Sequence, residues 1–241
     1  MTAQPAPTVL PALPDCVLER WEHTEAPGSG AAPTVVLPDG CRDLILHLDA
    51  EDRARWTVSP LALQAYAVPA SPGGSWLGFR LHPGAQLDDA ALLQAARSLW
   101  HAAVRAGGSP EDRRATEQAV LAALDDRARR DASVDEALAA LRGAGSVAQA
   151  ARALGTTPRT LERTVRAATG QPPRYWRELA RVRRAAQALA EGDPLAAIAA
   201  DHGYADQSHF GRACLHWLGA TPARLRATHG LIAAVQSSGY A

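Results

Sequence analysis

Ser146-Val-Ala-Gln-Ala-Ala-Arg-Ala-Leu-Gly155 runs into Thr156-Thr-Pro-Arg-Thr-Leu-Glu-Arg-Thr-Val165, and later Pro194-Leu-Ala-Ala-Ile-Ala-Ala-Asp-His-Gly203 runs into Tyr204-Ala-Asp-Gln-Ser-His-Phe-Gly-Arg-Ala213. The plan is the same both times. A short helix with apolar residues three and four apart (Val147, Ala148, Ala151 and Leu154; Leu195, Ile198 and Ala199) stops at a glycine, which tolerates the left-handed backbone of a helix end. An N-cap follows at once, Thr157 before Pro158 and Asp206 before Gln207, to accept a hydrogen bond from an orphan backbone N–H of the next helix. A break this short between two helices predicts two helix-turn-helix units in series.

The second helix of each unit divides into an inner and an outer face. In the first, Leu161 and Val165 point inward and Arg159, Thr160, Glu162, Arg163 and Arg166 lie outward. In the second, Phe210, Ala213, Cys214 and Trp217 form the inner stripe, leaving Gln207, Ser208, Gly211 and Arg212 outside. Arginine's planar fork matches guanine O6 and N7, glutamine matches adenine, and glutamate accepts from cytosine or steers a neighbouring arginine. Taken singly, these charges also suit a solvated helix face; the repetition of the whole plan favours DNA reading. Between the units, Pro172 and Pro173 open a helix to about Glu191 with Trp176, Leu179, Val182, Ala186 and Leu189 on one side. At ~1.5 Å per residue it is roughly 27 Å long, enough to hold two recognition helices about one DNA turn apart.

Charge points the same way. The formal net charge is zero, yet residues 1–140 carry 12 arginines against 19 acidic residues, −7, and residues 141–241 carry 13 against 6, +7. The excess cations fall where phosphates would dock. All cations are arginine, and with the abundance of alanine this reads as genomic GC bias.

These C-terminal residues resemble the AraC/XylS type of bacterial transcription regulator over roughly 143–226. The resemblance is carried by Gly203-Tyr-Ala-Asp-Gln-Ser-His-Phe-Gly-Arg212 with Gly219-Ala-Thr-Pro-Ala-Arg-Leu-Arg226, and by Thr157-Pro-Arg-Thr-Leu-Glu-Arg163 with Ala168-Thr-Gly170. It implies that Arg159, Glu162 and Arg163 read bases in the first unit, and Gln207, Ser208, Gly211 and Arg212 in the second. Two departures stand out. Val165 occupies the place of a phenylalanine, and Cys214-Leu215 that of an aromatic followed by a basic residue, which implies weaker binding through the second unit.

Residues before about 85 are short runs punctuated by proline and glycine: Val17 to His23, Thr34 to Leu37, Asp43 to Leu48, Arg55 to Val58, Leu63 to Val68 and Trp76 to His82. Alternation in Asp43-Leu-Ile-Leu-His-Leu48 and Leu77-Gly-Phe-Arg-Leu81 predicts half-buried antiparallel strands in a small sandwich or barrel. Pro38-Asp-Gly-Cys41 predicts a turn. Helices follow over 88–105 and 113–142, separated by Gly107-Gly-Ser-Pro110. The expected class is α+β: a small antiparallel β domain at 1–87, a helical connector at 88–142, an all-α double helix-turn-helix domain at 143–230 and a tail at 231–241. The stretch Leu37-Pro-Asp-Gly-Cys-Arg-Asp-Leu-Ile45 with Leu77-Gly-Phe-Arg-Leu-His-Pro-Gly84 is similar to an N-terminal module on a subgroup of these regulators, covering about residues 10–100. In the wider family such a domain senses a small molecule or mediates dimerisation, and Trp56, Tyr66, Trp76 and Phe79 are the expected lining of an effector pocket or the aromatic core of the domain.

The expected partners are therefore duplex operator DNA, with a small-molecule effector, a second copy of the chain and, for an activator, RNA polymerase as further candidates. Neither a cofactor nor a metal is expected: Cys16, Cys41 and Cys214 are scattered and odd in number, and His47 and His82 are lone strand histidines. Met1-Thr-Ala-Gln-Pro-Ala-Pro7 lacks a signal pattern and no run of eighteen apolar residues exists, so the expected location is cytoplasmic with no membrane contact. One enzymatic alternative is a DNA-repair alkyl acceptor, a class that carries the same C-terminal module; it needs clustered cysteines for zinc, and the N-terminal half has only Cys16 and Cys41. Another alternative is an adaptor that has lost DNA binding.

Overall fold

The computed structural model describes residues 12–28, 32–106 and 109–241; the N-terminal heptapeptide read above and the Gly107-Gly108 pair fall outside them. Strands β1 (Val17–Thr24), β3 (Asp43–Leu48), β4 (Ala54–Val58) and β6 (Ser75–Leu81) form one antiparallel sheet in the order β1-β6-β3-β4. Strands β2 (Thr34–Val36) and β5 (Tyr66–Val68) pair with each other and, among the described residues, with no other strand. Of the expected sandwich or barrel, the domain is an open four-stranded sheet with a separate two-stranded ribbon and not a closed barrel.

Period-two alternation decides what each sheet face meets. Leu44 and Leu46 of β3, Trp56 of β4 and Phe79 and Leu81 of β6 are buried on one face. Helices α1 (Asp89–Ala106) and α2 (Pro110–Arg127) cover that face with Leu92, Ala96, Val120, Leu121 and Leu124. Burial of each large side chain there contributes about 1.5–3 kcal/mol. The other face carries Asp43, Ile45, His47, Trp76, Gly78 and Arg80, and the β2/β5 ribbon stands over it across a cavity.

The helix read over 113–142 is two helices. Helix α2 starts at Pro110, where Ser109 and Asp112 form a capping box. It ends at Arg127, because β8 (Ala128–Arg129) pairs with β7 (Gln86–Leu87). Asp131 then caps α3 (Ala132–Gly143) by accepting from the Ser133 N–H at 2.9 Å. The break divides the expected connector between two cores. Helices α1 and α2 pack with the sheet, whereas Val134, Ala137, Leu138 and Leu141 of α3 belong to the C-terminal core.

That C-terminal core is built on α6 (Pro173–Gln187), extended by a 3-10 turn, Ala188–Glu191. Around it lie α3, α4 (Val147–Ala153), α5 (Pro158–Thr169), α7 (Leu195–Asp201), α8 (Gln207–Leu218), α9 (Pro222–Ala227) and α10 (His229–Gln236). Residues 231–241, expected as a tail, instead close the core. Tyr240 is fully buried, stands edge-on to Trp176 with ring centroids 5.0 Å apart, and donates its hydroxyl to Leu138 O at 2.6 Å.

The two halves meet at two loops of the β domain. The turn at 38–41 inserts against α6: Gly40 has φ of +75°, and a Cβ there would lie 2.8 Å from Tyr240 Cβ and 2.9 Å from the Trp176 ring. Only glycine satisfies both the dihedral and the space. Leu37 joins the C-terminal core, and Arg183 of α6, 1% exposed, donates to the carbonyls of Pro38, Val235 and Ser237 at 2.9–3.3 Å. In the second loop, residues read as the start of a strand at Leu63 bend instead onto the helices: Ala65 N–H donates to Trp217 O at 3.0 Å, and Tyr175 Oη donates to Ala62 O at 3.1 Å.

Candidate nucleic-acid interface

The two turns are made by the same backbone chemistry. Gly155 has φ of +63° and Gly203 of +71°. After α4, Thr156 N–H bonds Ala151 O at 2.9 Å and Gly155 N–H bonds Arg152 O at 3.0 Å; after α7, Tyr204 N–H bonds Ala199 O at 2.8 Å and Gly203 N–H bonds Ala200 O at 3.1 Å. Both are Schellman stops, which satisfy carbonyls a helix end leaves open. The caps repeat too: Thr157 Oγ1 accepts from Thr160 N–H at 3.2 Å and Asp206 Oδ1 from His209 N–H at 2.6 Å. These bonds fix the direction in which α5 and α8 leave the core.

The arginines of α6 tie both units to one spine. Arg177 donates to Gly145 O at 3.1 Å and Arg184 to Arg142 O at 2.6 Å, both in the approach to α4. Arg181 donates to Gly203 O at 3.4 Å and stacks its guanidinium 4.4 Å from the Tyr204 ring centre. Burial pushes the Tyr204 hydroxyl up to about 12, so it stays neutral beside that cation. At ~1.5 Å per residue for the α-helix and about 2 Å for the 3-10 turn, the spine is roughly 30 Å long.

On α5, Leu161 and Val165 are buried while Arg159, Arg163 and Arg166 are exposed and Thr160 and Glu162 half-buried. Glu162 is committed to its own helix, accepting from Arg166 Nε at 2.9 Å and Nη2 at 2.7 Å. Arg159 and Arg163 make no ion pair among the described residues. On α8, Phe210, Cys214, Trp217 and Leu218 are buried. Gln207, Ser208 and Arg212 are exposed, and Gly211 lies between them with nothing within 4 Å of an added Cβ. The departures noted in the sequence have distinct fates. Cys214 fills the core as a small apolar group, its thiol raised to about 12 by burial, whereas Leu215 is left 51% exposed on the outer side of α8.

The aromatic set expected to line one pocket is divided between two. Trp56 and Phe79 face the helices, beside a cavity of about 290 Å³ between the sheet and α1/α2. Tyr66 faces the other cavity, about 420 Å³, between the sheet and the ribbon, and Trp76 reaches both. The reason is parity: Trp76 and Phe79 are an odd number of residues apart on β6, so their side chains leave opposite faces.

Arg183 and Tyr240, which join the halves, escaped the sequence reading. Arg183 lies four residues after Leu179 and seven after Trp176, on the apolar stripe of α6, and that position was the signal that it is buried. Among the described residues no group of three or more His, Cys, Asp or Glu side chains is arranged to hold a metal, and His47 and His82 do not meet: His47 stacks on Trp76 at 4.7 Å and shares a hydrogen bond with Ser71. Burial pushes the Cys41 thiol well above its ordinary value, with Asp39 adding to the effect, so this turn cysteine is not an activated nucleophile. No helix of the described residues is long and apolar enough to cross a membrane.

Comparison with known proteins identifies the C-terminal segment. Residues 150–228 match the family model described as "Helix-turn-helix domain". A 76-residue stretch, 32% of the chain, is 36% identical to the Regulatory protein ada of Salmonella typhimurium, and the match spans 22% of that protein's length. The structure also aligns with ToxT of Vibrio cholerae at 9% identity and a TM-score of 0.44, over 87% of this chain and 97% of that one. A variant of ToxT in the apo form aligns at 10% identity and a TM-score of 0.39, over 86% and 96%.

Proposed function

We propose that the protein is a sequence-specific DNA-binding transcription regulator in which α5 and α8 enter successive major grooves on one side of a duplex. The observation that carries this reading is the pair of identically stopped and capped turns on a single spine of roughly 30 Å, close to one DNA turn. The outward residues fit the role. Arg159 and Arg163 are the unpaired guanidiniums of the first reader, with Arg166 steered by Glu162; Gln207, Ser208 and Arg212 are the polar groups of the second, and Gly211 lets backbone come close to the groove floor. The N-terminal half acts as a sensor of a small molecule. Support comes from the 420 Å³ cavity, of the size that holds small ligands, whose rim residues Pro60 and Ala62 belong to the loop docked on α6 and α8. Duplex DNA and a small effector are the partners of this reading, and no catalytic residue is assigned. Three buried, separated cysteines give no support to the alkyl-acceptor alternative.

Selection from random duplex DNA with the intact protein tests the DNA reading. Enrichment of an extended motif, lost steeply as salt rises because phosphate contacts release counterions, is the expected result; recovery of no motif would overturn it.

A further inference from the structure

The cavity between the four-stranded sheet and the β2/β5 ribbon has walls and a floor of different chemistry. Its walls are aromatic and flat. Trp21 lies directly over Gly78, where a Cβ would come within 2.0 Å of the indole, so the glycine is what allows the ring to lie on the sheet. Trp76 stands beside it, backed by His47 at a tilt of 16°, and Tyr66 faces them from the ribbon.

The floor is anionic. Asp39 and Asp43 are each 9% exposed and Glu25 8%, and all three border the cavity. Two guanidiniums bear on this floor: half-buried Arg80 divides itself between Asp39 and Asp43 at 3.4 Å and Glu19 at 3.5 Å and donates to Ser238 O at 3.0 Å, and buried Arg183, bonded to Pro38 O, acts on Asp39 from the core side. The other bordering arginine, Arg55, is exposed on β4. Asp43 Oδ1 accepts from Trp21 Nε1 at 2.8 Å and Glu25 Oε2 from Ser71 N–H at 2.7 Å. Their second oxygens, Asp43 Oδ2 and Glu25 Oε1, accept no hydrogen bond from the described residues and are not fully buried, so they are open to the cavity. Desolvation holds the Asp39 and Asp43 carboxyls above the ordinary aspartate range even with Arg80 beside them, and it lowers His47, which therefore adds no positive charge at neutral pH.

Such open oxygens can accept a charged donor from a ligand, a hydrogen bond roughly twice as strong as a neutral one. Aromatic faces attract the same charge through their quadrupoles. We propose that this cavity binds a small organic cation with a flat apolar body, its ammonium or amidinium group against Asp43 and Glu25 and its ring system between Trp21, Trp76 and Tyr66. The assignment rests on the sensing reading above and gives that site its ligand class.

Calorimetric titration of the full chain with three probes sharing one ring system tests it: 2-naphthylmethylammonium, 2-naphthylmethanol and 2-naphthoate. The cation should bind about tenfold or more tighter than the carboxylate, and Asp43→Asn, checked for folding by near-ultraviolet circular dichroism, should remove most of that preference. Glu25→Gln serves where Asp43→Asn does not fold. Equal or tighter binding of naphthoate, or a preference unchanged in the variants, overturns the charge assignment while leaving a small-molecule site in place. Absence of saturable binding by all three overturns the ligand class and leaves the sensing reading standing.

Discussion

The first and second helix-turn-helix units share a backbone and differ in what they present. Their glycine stops and caps coincide bond for bond, yet α5 exposes three arginines and α8 exposes one. The second unit is also the one held by the β domain, through the hydrogen bond from Ala65 to Trp217. Identical local chemistry thus places two helices alike, while what they present differs: three exposed cations on α5, and one on α8 together with the hydrogen bond to the β domain.

One spine serves both units, and the largest effect is expected there. Arg183→Met removes the donor to Pro38 and Ser237, leaving their carbonyls without a partner while Gln187 still serves Val235, at a cost of about 3 kcal/mol in urea unfolding. A loss below about 1 kcal/mol would show that the joint is dispensable. Next come the readers. On a selected site Arg163→Ala should cost about 2–3 kcal/mol of binding and Arg212→Ala about 1 kcal/mol, measured by fluorescence anisotropy. Equal losses would erase the proposed asymmetry.

The caps should behave in the opposite way, as equals. Thr157→Ala and Asp206→Ala should each lower folding stability by about 1 kcal/mol, and a large difference between them would mean that the shared backbone plan does not bear equally on the two units. Gly211→Ala separates fold from reading. Nothing crowds the added methyl, so α8 gains about 0.5–1 kcal/mol of stability, whereas DNA binding should fall several-fold if groove and backbone approach closely. A gain in both would remove Gly211 from the interface.

What could be read in advance follows from the range of the interactions. Stops and caps are made within five residues, so Gly155, Thr157, Gly203 and Asp206 announced themselves. The strands of the open sheet were visible as alternation, though the face of Trp56 and Phe79 became clear only when α1 and α2 claimed it. The helix break at residues 128–131 hid behind leucine spacing that continues across it, despite Asp131 supplying a cap. Longer-range features were least visible: Tyr240 is buried because Trp176 and Leu138 receive it from 64 and 102 residues away, and the cavity floor gathers Glu25, Asp39, Asp43 and Arg80 from separate strands and a turn.

The claim that two unlike readers share one site is tested most directly by hydroxyl-radical footprinting of the intact protein on its selected DNA, beside Arg163→Ala and Arg212→Ala. Two protected stretches about one helical turn apart are expected, with Arg163→Ala erasing one and Arg212→Ala thinning the other. A single protected stretch, or both stretches fading together in either variant, would contradict it.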